Sequence, residues 1–187
     1  MARHLITRLA LVLVLAAGGC AQQSPAPGAG PLFNPTDVMF LQMGLAQIAE
    51  GDEVAALAAQ RAGTAEIRTL ATELRTQRQT ESGTMQRWLL GWQQPLAADP
   101  SAGAHAGHGD LHSLRPSDIA ELRAAKGRDF DRTALSLLLG HLHNCVETQR
   151  MESTGGAYPP ARSLATTMTQ SRQATIQKML ILVADPG

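Results

Sequence analysis

A shift of 94 residues lays Thr36–Leu89 over Phe130–Val183 without a gap. Eleven of the 54 paired positions are identical, among them Asp37/Asp131, Leu41/Leu135, Leu70/Leu164, Ala71/Ala165, Arg78/Arg172 and Met85/Met179. That is about three times the chance expectation at ordinary residue frequencies. A repeat of this length with a helical pattern is a helical hairpin copied once, so the expected product is an all-α bundle of four helices. Composition agrees. The chain is 44% hydrophobic with only 3% aromatic residues. That favours closely packed helices over β-sandwiches, which want aromatic and β-branched strands. A formal net charge of zero leaves no basic stripe, so nucleic acid is not an expected partner.

The N-terminus reads as an export signal over residues 1–19. Arg3 and Arg8 supply its charge, Leu9–Ala16 its apolar core, and Ala17-Gly18-Gly19 the small residues before Cys20. The apolar run is too short to span a bilayer. Its ending resembles the bacterial lipoprotein signal, which implies lipidation at Cys20 and a membrane anchor facing the periplasm or cell envelope. Ala17 stands where that pattern usually has Leu. Cys145 is then left without a disulfide partner.

Residues 20–35 are rich in Pro, Gly, Ala and Gln and read as a tether. The bundle is expected over residues 36–184. Its first hairpin covers 36–92, a histidine-containing linker 93–116, a short helix 117–126, and the second hairpin 128–184. Asn34-Pro35-Thr36-Asp37 is helix-start chemistry, with Thr36 or Asp37 as the expected N-cap. Val38, Leu41, Leu45, Ile48 and Ala55 form the expected buried stripe of the first helix, and Ile67, Leu70, Leu74, Met85 and Trp88 that of the second. Gln77 and Glu81 share the second stripe and therefore need partners, because an unsatisfied buried polar group costs about 1–3 kcal/mol.

The elements Asp37…Phe40…Gln42-Met43 and Leu70-Ala71…Gln77…Glu81…Met85…Trp88-Leu89…Trp92, with Gly127…Phe130-Asp131 and Leu164-Ala165…Met179-Leu180, resemble the family called domain of unknown function 305. The resemblance runs from about Asp37 to Leu182. It implies a ferritin-like four-helix bundle, exported from bacteria, in some members binding copper or another metal. It also implies a His-His pair in the first helix of each hairpin. Here those positions hold Gln47 and Ile48 in one hairpin and His141 and Leu142 in the other. Glu81 is kept, while Thr175 replaces its counterpart.

Two sets of residues carry possible metal chemistry. Zinc- and copper-class ions want three or four N, S or O donors converging on one point. His141 and Cys145, at i and i+4, share a helical face, and Glu81 is a third donor candidate. His143 is turned about 200° from His141 and does not join them. The second set is His105, His108 and His112, with Asp110, in a Gly-containing linker able to wrap a Cu(II), Ni(II) or Zn(II) ion. No Glu-x-x-His pair, nucleophile elbow, phosphate loop or CxxC occurs, so no enzymatic activity is expected. The reading is thus a lipid-anchored envelope bundle with possible copper or zinc binding. The alternative is a structural or protein-interaction bundle that has lost the metal site. An Ala-rich surface also leaves room for a homo-oligomer.

Overall fold

Asn34, not Thr36 or Asp37, is the N-cap of the first helix, because Pro35 takes the first helical position and Asp37 the third, from which it caps back. The Asp37 N–H donates to Asn34 Oδ1 at 3.0 Å, and the Asn34 N–H donates to Asp37 Oδ2 at 2.6 Å. The computed structural model describes residues 32–99 and 114–184. They form α1 (Pro35–Arg61), α2 (Ala65–Gly91), α3 (Pro116–Ala124), α4 (Gly127–Gly155) and α5 (Pro159–Ala184). No strand occurs among the described residues, and the all-α expectation is met. The signal segment with Cys20, and the linker with His105, His108 and His112, lie outside the described residues.

α1 and α2 make one hairpin, α4 and α5 the other, and the two join mainly along α1 and α4. The short α3 lies on α4 and α1. The repeat has a direct structural meaning. Asp37, at the start of α1, accepts the N–H groups of Ala157 (3.0 Å) and Tyr158 (2.9 Å) in the α4–α5 turn. Asp131, at the start of α4, accepts those of Gly63 (2.9 Å) and Thr64 (3.3 Å) in the α1–α2 turn. The turn residues are themselves 94 apart, so each hairpin holds the other's turn by the same contact. Aromatic rings close one end. Trp92 stacks on Phe33 at 4.2 Å and meets Tyr158 edge-on at 5.1 Å, and Trp88 meets Tyr158 at 5.4 Å.

The interior divides into two apolar clusters. One gathers Val54, Ala58, Leu70, Leu74, Phe130, Leu138, Leu142, Ile176 and Met179. The other gathers Phe40, Leu41, Met85, Leu89, Ala161, Ala165 and Met168. The expected α1 stripe is only partly right. Leu41 and Ala55 are buried, but Val38, Leu45 and Ile48 are half-buried against the second cluster. Phe40, Gly44, Gly51, Val54 and Ala58 take the centre. An apolar pattern underweights glycine and alanine, yet those residues let α1 approach its neighbours. A Cβ on Gly44 would stand 2.9 Å from Met85 Sδ.

Glu152 sits fully buried where α4 ends. No N–H or O–H of the described residues donates to either carboxyl oxygen. Its polar neighbour is Asp37. Burial, then the hydrogen bond and charge of Asp37, push the Glu152 acid up to about 8, so it keeps its proton at neutral pH and gives it to Asp37. Burial raises Asp37 as well. The Asn34 and Tyr158 N–H groups, the Glu152 acid and the Ala157 N–H outweigh that and hold it below the usual range.

A fixed sign follows for stability. The Glu152 carboxyl is ordinary, near 4.5, in the unfolded chain and near 8 in the folded one. Its contribution is complete below pH 4.5 and declines as pH rises to about 8. Glu152→Gln, which keeps a donor for Asp37 and cannot ionise, is expected to flatten that decline and to be the more stable form at pH 8. Urea unfolding of both proteins at pH 5 and pH 8 checks this; parallel losses in the two would contradict it.

Candidate functional site

Between the two apolar clusters, at mid-height, runs a layer of polar side chains: Arg78 and Glu81 from α2, His141 and Cys145 from α4, and Arg172 from α5. All five are buried. Gly51 of α1 completes the layer by having no side chain. A Cβ there would lie 2.5 Å from Arg78 Nη1 and closer still to His141 Nε2.

Glu81 turns away from the histidine to Arg172. The guanidinium donates through Nη1 to Glu81 Oε1 at 3.2 Å and through Nη2 to Oε2. Gln77 Nε2 donates to the same Oε1 at 3.0 Å and its own carbonyl accepts Ser171 Oγ at 2.7 Å. The two polar residues of the α2 stripe thus find their partners across the bundle on α5. A bidentate, buried pair of this kind is costly to break from one side, about 3–5 kcal/mol, because the survivor is left charged in the core.

His141 and Cys145 do come together, with Sγ 3.6 Å from Nε2. Burial raises the Cys145 thiol above its ordinary value, so it stays protonated and donates to Nε2. The ring hydrogen is thereby placed on Nδ1. That atom lies toward the Gln47 backbone carbonyl and 3.8 Å from Glu50 Oε2. Burial, followed by the charges of Arg78 and Arg172, lowers His141 to about 3. The imidazole is neutral across the physiological range. His143 faces outward and donates through Nδ1 to the Leu139 carbonyl at 2.8 Å.

Neutral imidazole and sulfur beside each other would suit a soft metal, but the surroundings do not. Two guanidinium groups face the pair, and the third candidate, Glu81, is consumed by one of them. No group of three His, Cys, Asp or Glu side chains able to hold a metal ion occurs among the described residues. In the first hairpin, Gln47 stands where His141 stands in the second and donates to Thr148 Oγ1 at 2.9 Å. That position too has become an internal hydrogen bond.

The arginines are what the sequence reading passed over. Arg78 and Arg172 count among the identical pairs of the repeat, but a charged residue is not an expected core component. The signal was present in their register. Leu74, Arg78, Glu81 and Met85 follow one helical stripe, as do Ala165, Met168, Arg172, Ile176 and Met179.

Taken together, these features define an antiparallel four-helix bundle of two repeated hairpins around a charged central layer. The chain belongs to the family described as "Domain of unknown function (DUF305)", whose model matches residues 37–183. Among solved structures it is similar to a DUF305 protein of Streptomyces coelicolor described as secreted, with 20% identity, a TM-score of 0.74, and 80% of this chain and 93% of that one covered. A DUF305 fragment from Deinococcus radiodurans gives 22% identity, a TM-score of 0.69, and 81% and 97% coverage. CopM in its Cu(II)-bound form gives 22%, 0.68, and again 81% and 97%. At these identities the likeness is one of fold. No curated protein matches the chain.

The central ion pair yields a direct expectation. Glu81→Ala, which strands Arg172 beside Arg78, should cost about 3–5 kcal/mol in urea unfolding, while the double change Glu81→Leu with Arg172→Met should recover most of it. A single variant within about 1 kcal/mol of the wild type would show that the pair does not hold the layer.

Proposed function

We propose that the protein is an exported, lipid-anchored, non-enzymatic bundle that binds copper- or zinc-class ions through residues 105–112. The observation that carries this reading is the concentration of donors there. Three of the six histidines, His105, His108 and His112, lie within eight residues with Asp110 and two glycines, which suits N,O coordination without a rigid frame. The central layer supports the same assignment by exclusion. His141 and Cys145 face Arg78 and Arg172, and Glu81 serves Arg172, so a cation brought there meets like charge. The fold-mate CopM is known in Cu(I)-, Cu(II)- and Ag-bound forms, which supports this class of ion. The Cys20 signal and the secreted Streptomyces relative support export. Among the described residues no helix is long and apolar enough to cross a membrane.

A second reading, a bundle kept for structure or protein interaction, is favoured by one feature. Exposed Ile181 and Val183 near the end of α5 border a cavity of about 420 Å³ that Ile67 and Leu135 also line. Homo-oligomerisation through this end belongs to the same reading.

Titration of the mature chain with Cu(II) and Zn(II) separates the two. The first reading expects binding at about 1 μM or tighter, lost in the triple variant His105→Ala, His108→Ala, His112→Ala and unchanged in Cys145→Ala. Binding weaker than this, or indifferent to the triple change, leaves the second reading.

A further inference from the structure

Arg78 is only 1% exposed, and Nε, Nη1 and Nη2 all lack a hydrogen-bond partner. Burial and the neighbouring Arg172 lower it only to about 10, so it is a cation at neutral pH. No carboxylate within its influence hydrogen-bonds to it. Arg172 takes both oxygens of Glu81. Arg75 holds Asp52 through Nε at 2.8 Å and Nη2 at 3.2 Å. The Leu114 N–H occupies Glu50 Oε1 at 2.5 Å, and Glu50 Oε2 faces His141. With His141 and Cys145 neutral, Arg78 feels the charges of Glu50, Glu81 and Asp52 at a distance. None of them accepts a hydrogen bond from its guanidinium.

A groove of about 730 Å³ between α1 and α2 leads to this arginine, and Ile48, Thr76, Ser82 and Gln86 also line it. A buried charge with three unused donors is among the costliest arrangements a core can hold, so it calls for a counter-ion. We propose that Arg78 anchors a buried site for a small inorganic monoanion, a halide, which enters between α1 and α2 and accepts the unused guanidinium donors. The size follows from burial: an ion reaching this guanidinium sheds its water, which is easier for chloride or bromide than for sulfate or phosphate. A monoanion matches the one guanidinium that has no hydrogen-bond partner.

This site takes an anion and is independent of the histidine linker, so neither result decides the other. Two measurements on the mature chain test it. Thermal unfolding is followed in sodium chloride, sodium bromide and sodium gluconate at matched ionic strength, for the wild type and Arg78→Met. The expected outcome is a saturable rise of Tm with either halide over gluconate. In Arg78→Met the apparent halide affinity should fall about 30-fold or more. Crystals of the wild type grown in bromide should show an anomalous peak within hydrogen-bonding distance of the Arg78 guanidinium. That measurement stands even where the variant does not fold. Equal Tm in all three salts with no bromide at Arg78 overturns the proposal and leaves ordered water as the partner.

Discussion

Two guanidinium groups meet in the middle of this bundle, and one carboxylate serves them. The Arg172–Glu81 pair is the constraint on which the rest of the central layer depends. It ties α5 to α2, which otherwise touch little. By taking both Glu81 oxygens it leaves the Arg78 donors without a hydrogen-bond partner, and burial, with the charges of the two arginines, keeps His141 uncharged. Gly51 is needed because Arg78 and the imidazole fill the space where its side chain would stand. The ion pair thus bears on three neighbours, Arg78, His141 and Gly51.

The layer sits inside a frame set by a different interaction. Asp37 and Asp131 each hold the turn of the opposite hairpin, so neither hairpin is complete alone. The apolar clusters above and below then pack against a geometry already fixed at both ends. Glu152 adds a proton-dependent element to one end only, since it pairs with Asp37 and its repeat counterpart is Ala58. The two halves share a plan but have diverged in chemistry.

Much of this architecture was legible in the sequence because a helical repeat with few aromatics has few ways to pack. The identity of Asp37 and Asp131 marked the clasp without showing what it grips, since the turn amides it holds leave no trace in side-chain identity. The face of α1 was harder to read. Its centre is built from Gly44, Gly51 and Ala58, which contribute closeness rather than hydrophobicity. The polar layer was half legible. Gln77 and Glu81 were flagged as stripe residues in need of partners, and His141 with Cys145 as neighbours. Arg78 and Arg172 were seen only as repeat identities, because core burial of arginine depends on tertiary contacts that a local pattern does not hold.

These features separate the roles of two histidine groups. His141 belongs to a layer whose charge repels cations and whose donors are spent on one another. The metal binding proposed for this chain would instead use His105, His108 and His112. X-ray absorption of the zinc-loaded mature chain addresses the division most directly, since zinc–sulfur and zinc–nitrogen distances differ by about 0.2–0.3 Å. The account predicts a first shell of nitrogen and oxygen only, with imidazole scattering beyond it. A sulfur neighbour at about 2.3 Å would place the metal on Cys145 in the central layer and contradict it.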